Sequence, residues 1–226
     1  MLQNIIMKLF KKFFEYWKRE NFYIIFKSFL DIIFSIIFIV VCSPLFLVII
    51  ILIKFSSRGP IFFSHKRIGK FNQPFNCIKF RTMHPEADDI LFNLLEGNSF
   101  LKEEFEKTQK LKNDPRITVI GKILRKTSLD ELPQFINVLR MEMSIVGPRP
   151  IVKSEVIKYG SNITKVLSIK PGITGLWQVS GRNNLSYQKR VFLDSLYVDN
   201  ISFLMDLRII IRTFGVLLFP LDRGAY

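Results

Sequence analysis

Two carboxylates stand side by side at Asp130 and Glu131, in the segment RKTSLDELPQ of a 226-residue chain whose formal net charge is +14. Adjacent acids do one of two things in such a place. They cap a helix, because Ser128-Leu-Asp-Glu131 has the S-x-x-E form of a capping box and acids in a first turn offset the macrodipole. Alternatively, they hold a divalent cation and attack an electron-poor centre. The basic company bears on the second reading: Arg125 and Lys126 precede the pair, and Gly147-Pro-Arg-Pro150 follows it. A guanidinium grips phosphate oxygens with two parallel bonds. A carboxylate that meets phosphate needs a cation between them, and Mg²⁺ suits, since it takes one or two carboxylates and fills its other positions with substrate phosphate and water. Local spacing leaves both readings open.

The elements that must position the pair begin with an uncharged apolar run over residues 32–53, just long enough as a straight helix to cross a hydrocarbon core of roughly 30 Å. Lysines and arginines crowd both flanks, from Lys8 to Lys27 and from Lys54 to Arg81, and no acid occurs between Asp31 and Glu86. Both ends therefore prefer the cytoplasm. Ser43-Pro44 falls in the middle, where proline removes a helix hydrogen bond. Two paths fit these facts: a proline-kinked span, or a re-entrant hairpin that leaves by the face it entered. Before this run, Ile5, Ile6, Leu9, Phe10, Phe13, Phe14 and Trp17 recur at helical spacing opposite a basic face, the pattern of an in-plane helix on anionic lipid. Residues 201–219 are mostly apolar but carry Asp206, Arg208 and Arg212, which fits a second interfacial helix or a core helix equally.

The expected organisation is thus a basic amphipathic interfacial segment over residues 1–28, a membrane helix bent at Ser43-Pro44 over residues 29–54, and a catalytic domain over residues 55–226. Pro60 to Ser64 and Pro74 to Arg81 read as two short strands around a turn with Gly69 and Asn72, and the remainder is mainly helical. The fold class is α+β, mostly helical, with one small β-hairpin. Cys42 and Cys77 are isolated, which fits a reducing compartment and offers no metal site. The charge calls for anionic partners. Nucleic acid is not expected among them, because the aromatics gather in apolar segments instead of alternating with arginines.

Several long motifs, in order, resemble one family. They are Lys79-Phe-Arg-Thr-Met83, Asp114-Pro-Arg-Ile-Thr118, LRKTSLDELPQFINVL over residues 124–139, MSIVGPRP over 143–150, PGITGLWQVSGRN over 171–183 and the terminal Arg-Gly-Ala-Tyr226. Together they are similar to the bacterial sugar transferases, the monotopic phosphoglycosyl transferases that use undecaprenyl phosphate. The resemblance covers about residues 27–226 and implies the re-entrant path for the bent helix. It implies that a phosphosugar moves from a UDP-sugar to undecaprenyl phosphate with release of UMP, at the cytoplasmic face of the bacterial inner membrane.

The resemblance also implies roles. Asp130 is the nucleophile that forms a covalent phosphosugar intermediate, and a carboxylate, already ionised, needs no base. Glu131 holds Mg²⁺. Arg125 and Arg149 contact phosphate, as do Arg81 and Lys79 in the Thr-Met motif, while Arg182 helps hold the nucleotide or sugar. His65 and His84 are not required; His65 stands where many relatives have glutamine, and Met141-Glu142 replaces a usual Gly-acid pair. The sugar is expected to be galactose, then glucose, with an N-acetylhexosamine 1-phosphate as the alternative. The competing function is a catalytically inactive membrane-surface scaffold in which the acids only cap. Anionic lipids are expected partners, and a homodimer stays open.

Overall fold

Two apolar helices open the chain and meet at Cys42. The structure is a computed structural model and describes residues 2–108, 111, 113–181 and 184–218; Arg182 lies outside the described residues, as do the side chains that would form the amphipathic face of residues 1–21. Helix α1 (Leu2–Val41) passes residue 28 without a break. Its stretch Phe22–Val41 is long and apolar enough to cross a membrane by length and composition. Cys42 leaves helical geometry at φ −86°, ψ 1°, and α2 (Ser43–Ser56) restarts with proline in its first turn, where the missing N–H costs nothing. Ser43 Oγ donates to Val40 O at 2.8 Å and takes up one carbonyl freed at the break.

Neither helix stands apart from the rest. Ile49 and Ile53 of α2 are buried with Phe80 and Leu124, and Phe38 of α1 stacks on Phe135 with ring centroids 4.1 Å apart. A polar rivet adds to these contacts. Lys27 Nζ lies 2.6 Å from Asp206 Oδ2, Tyr23 donates to the same oxygen at 2.7 Å, and Tyr197 Oη lies 2.7 Å from Asp206 Oδ1. One turn along α1, Asp31 Oδ2 accepts from Ser144 Oγ at 2.6 Å. Lys27, Asp31 and Asp206 are all buried. Charges withdrawn from water must be paired, and these are.

Strands β1 (Phe62–Ile68) and β2 (Pro74–Phe80) form the expected antiparallel hairpin, with His65 opposite Cys77 and Lys79 opposite Phe63. Helices α3 (Ala87–Glu96) and α4 (Ser99–Thr108) follow. Next comes α5 (Val119–Thr127), whose N-cap Thr118 accepts from the Gly121 amide, then α6 (Gln134–Leu139). A second sheet was not anticipated. Strand β3 (Ser144–Val146) pairs in parallel with β4 (Gly172–Thr174). The strands approach so closely that a Cβ on Gly172 would lie 2.1 Å from the Gly147 amide nitrogen, so only glycine fits.

Short helices α7 (Val156–Tyr159) and α8 (Ile163–Val166) lead to this second sheet, and α9 (Tyr187–Asp199) and α10 (Phe203–Leu218) close the described chain. Tyr197 and Ile209 pack on Val146 and Ile169 to form the core beneath β3. The other side of α10 exposes Phe203, Leu204, Leu207, Ile211 and Phe214.

Candidate active site

The acid pair sits on a corner between two helices. α5 ends at Ser128, whose backbone lies in the left-handed region at φ 58°, ψ 17°; a 3₁₀ turn, Leu129–Glu131, carries both acids, and Pro133 starts α6. This corrects the capping-box reading. Ser128 closes the preceding helix and its side chain makes no cap hydrogen bond. A serine with positive φ is uncommon, and such strain gathers where a backbone must aim functional side chains.

Lys79 rises from the β-hairpin to meet the corner. Its Nζ lies 2.6 Å from Glu131 Oε1 and 3.7 Å from Asp130 Oδ2. Behind it, buried Asn137 of α6 clasps β2 on either side of Cys77, accepting from the Ile78 amide at 3.0 Å and donating to Asn76 O at 2.7 Å. The strand that carries Lys79 is thereby tied to the helix that follows the acids. Arg67 of β1 reaches the same cavity as Cys77, Lys79, Glu131, Gln134 and Arg149. Its Nη1 donates to Pro150 O at 3.3 Å, which links the hairpin to the loop bearing Arg149.

The two carboxylates are electrostatically unlike. Burial pushes Asp130 up from the ordinary carboxylate range; Lys79 pulls it down, the Glu131 charge pushes it up again, and Arg125 offsets only part of this. For Glu131 burial also acts upward, but Lys79, Arg149 and Arg67 together hold it below the ordinary range. One acid is thus poised and the other firmly ionised. Arg125 is held by a bond from Nε to Thr82 Oγ1 at 2.9 Å. Arg116 is committed to Asp114 through two bonds of 2.8 and 2.7 Å.

The structure brings Lys79, Arg125 and Arg149 around the pair, but not Arg81. The Arg81 guanidinium is buried and donates to Arg58 O at 3.0 Å and to Ser57 O at 2.8 Å, just beyond the end of α2. Sequence reading missed Arg67. Two-residue alternation was the available signal: once His65 is paired with Cys77, Arg67 shares a face with Lys79. It also missed Thr82, Gln134 and Gln178, which no spacing marks.

Among the described residues no group of three or more His, Cys, Asp or Glu gathers to hold a metal. The donor set still fits Mg²⁺, which is satisfied by one or two protein carboxylates when phosphate and water supply the rest. Zinc, which wants three or four nitrogen or sulfur donors, does not fit this pair.

Two unequal carboxylates ringed by ammonium and guanidinium groups, on a scaffold riveted to apolar helices, have the charge arrangement that suits phosphate oxygens. Comparison with known proteins agrees. The model of a family described as bacterial sugar transferase matches residues 22–220. Exopolysaccharide production protein ExoY of Sinorhizobium fredii is 48% identical over 196 residues, covering 87% of this chain and 86% of that protein. Undecaprenyl-phosphate galactose phosphotransferase of Salmonella typhimurium is 45% identical over 188 residues, covering 83% of this chain and 39% of its own length. UDP-glucose:undecaprenyl-phosphate glucose-1-phosphate transferase of Klebsiella pneumoniae is 39% identical over 197 residues, with 84% and 39% covered. The chain belongs to the bacterial sugar transferase family. It is a transferase.

Proposed function

We propose that the chain transfers a hexose 1-phosphate from a UDP-sugar to undecaprenyl phosphate and so starts a surface glycan. The observation that carries this reading is the unequal pair: Asp130, partly relieved of cations, is free to bond phosphorus, while Glu131 stays ionised among Lys79, Arg149 and Arg67. An Asp130 oxygen attacks the β-phosphorus, the bond from that phosphorus to the bridging oxygen breaks, and UMP leaves. An oxygen of undecaprenyl phosphate then attacks the same phosphorus, the acyl-phosphate bond breaks, and the Asp130 carboxylate is restored. Arg149 and Arg67 bind the leaving phosphate, and Arg125 shields Asp130 from its charge. Glu131, with Asp130 beside it, would hold Mg²⁺, which when bound neutralises charge on the phosphate oxygens.

The relatives' names favour galactose and then glucose as the sugar. An N-acetylhexosamine 1-phosphate is the alternative within the same chemistry. For the anchor, the break at Cys42 and the basic flanks on both sides favour a re-entrant path on the cytoplasmic face of the inner membrane, with the apolar face of α10 lying on lipid.

The purified protein, given UDP-galactose and Mg²⁺ without acceptor, is expected to release UMP and gain the mass of one phosphohexose. Asp130→Asn should gain none, and an adduct on that variant would overturn the nucleophile. UDP-glucose and UDP-N-acetylglucosamine in parallel decide the sugar. Cysteines placed at Gln3 and Asn72 should both be labelled from the cytoplasmic side; labelling from opposite sides would restore the spanning path.

A further inference from the structure

The cavity beside Glu131 is not lined by charge alone. Arg67, Lys79 and Arg149 bring cationic donors to it, while Gln134 and Gln178 line it with carboxamides that take no part in the chemistry above. Gln134 stands at the start of α6, three residues after Glu131, and is only 3% exposed, yet none of the described residues hydrogen-bonds its side chain. Gln178 is half committed. Its Nε2 donates to Ile173 O at 3.0 Å, and because a carbonyl oxygen can only accept, that bond settles which end of the carboxamide is nitrogen. Oε1 is therefore an acceptor, and it is buried without a hydrogen-bond partner among the described residues. A buried polar atom of this kind calls for a partner.

Phosphate does not supply one. An ionised phosphate ester offers acceptor oxygens only, which the Gln178 oxygen repels; it needs an O–H or N–H on an uncharged part of the ligand. Position selects the part. Glu131 and Lys79 line the same cavity, and Lys79 Nζ lies 3.7 Å from Asp130 Oδ2, so the cavity adjoins the carboxylate proposed to bond the β-phosphorus. The hexose is carried on that phosphorus, whereas the ribose and uracil lie beyond a second phosphate. We infer that Gln134 and Gln178 read hydroxyl groups of the transferred sugar, the Gln178 carbonyl accepting from one and the Gln134 carboxamide, which both donates and accepts, meeting another. The choice of sugar over nucleotide rests on the transfer proposed above; the need of Oε1 for a donor does not. Galactose and glucose differ in the direction of a single hydroxyl, and a site built to hydrogen-bond a hydroxyl rejects the analogue that fails to present it, because its own polar group is then left unpaired.

Binding to the full chain carrying Asp130→Asn, which blocks turnover, separates sugar from nucleotide. With Mg²⁺ present, Gln178→Met and Gln134→Met should each weaken whichever of UDP-galactose and UDP-glucose binds tighter on the order of tenfold, the scale of one hydrogen bond, and leave UMP within about twofold. Equal weakening of both ligands would overturn the proposal and give the carboxamides to the nucleotide. Unchanged affinity for both would overturn it too and leave the carboxamides to buried water. Analogues of the same UDP-hexose lacking one hydroxyl at a time provide a readout that a merely structural role does not move: at the position a glutamine reads, the penalty for the missing hydroxyl should vanish in that glutamine's variant. Penalties that persist at every position in both variants sink the assignment. If Gln178→Met, which also frees Ile173 O, does not fold, Gln134→Met decides alone. A chain that shows the sugar-dependent pattern but, with Asp130 intact, releases no UMP from any UDP-sugar would sink the transfer reading and leave the carboxamide assignment standing.

Discussion

Lys79 and Glu131 share a 2.6 Å bond from Nζ to Oε1, while the same nitrogen stands 3.7 Å from Asp130 Oδ2. One ammonium thus serves two neighbouring carboxylates unequally. It helps hold Glu131 as an anion and leaves Asp130 with attraction but no bond.

Lys79→Met should therefore act mainly through Asp130. Lys79 is the strongest charge holding that carboxyl down, and Glu131, which pushes it up, keeps Arg149 and Arg67. The Asp130 pKa should rise and the acid limb of UMP release should shift to higher pH, because the nucleophile proposed above must be ionised. The bond to Glu131 goes as well, and a lost hydrogen bond to a charged group corresponds to roughly 10- to 100-fold in rate. Lys79→Arg keeps the charge and should keep most of the limb. A pH–rate profile for Lys79→Met with the limb unmoved would count against this division of labour.

Arg81 gives a contrasting prediction. Its guanidinium is occupied by the Ser57 and Arg58 carbonyls, so Arg81→Lys should loosen the end of the anchor and leave substrate binding alone. Buried donors and acceptors left unpaired cost about 1–3 kcal/mol. At about 2–4 °C per kcal/mol for a chain of this size, the thermal midpoint in detergent should fall by several degrees. KM for the UDP-sugar should stay within about twofold of the parent, since uniform binding is untouched. A tenfold rise in KM at unchanged midpoint would return Arg81 to the phosphate site.

How far the sequence revealed this arrangement depended on the range of the forces involved. The β-hairpin was legible because its turn residues Gly69 and Asn72 act locally, although the first strand, expected to end at Ser64, runs to Ile68; the helix break near Ser43-Pro44 was legible because proline acts on its own turn. The acid pair was visible but its local geometry was not. Ser128 in the left-handed region turns a capping-box pattern into a corner, and nothing in S-x-x-E announces the sign of φ. The second sheet has three-residue strands, Ser-Ile-Val and Gly-Ile-Thr, too short for any period. Arg81 read as a phosphate ligand because its motif neighbours Lys79, but the strand ends at Phe80 and the side chain follows a different path. Asn137, which ties β2 to α6, reads in sequence as one more polar residue in a helix; its burial becomes evident only when β2 is placed against it.

The Lys27–Asp206 pair was least legible, since 179 positions separate its members and each reads alone as an interruption of an apolar segment. It fixes the anchor to the catalytic part, and its energetics can be measured. Lys27→Met leaves the buried Asp206 carboxylate with the Tyr23 and Tyr197 hydroxyls and also takes the ammonium away from buried Asp31, 3.8 Å off. Removing one partner of a buried pair costs about 3–5 kcal/mol, because the other charge stays stranded. The thermal midpoint of Lys27→Met in lipid nanodiscs should drop accordingly. Asp206→Asn added to Lys27→Met removes the stranded charge yet keeps an oxygen for a tyrosine donor, so the double variant should regain more than half of the loss. Such recovery is the signature of coupled neighbours. A double variant no more stable than Lys27→Met would mean that the single loss came from packing of the lysine stem rather than from the charge it neutralises.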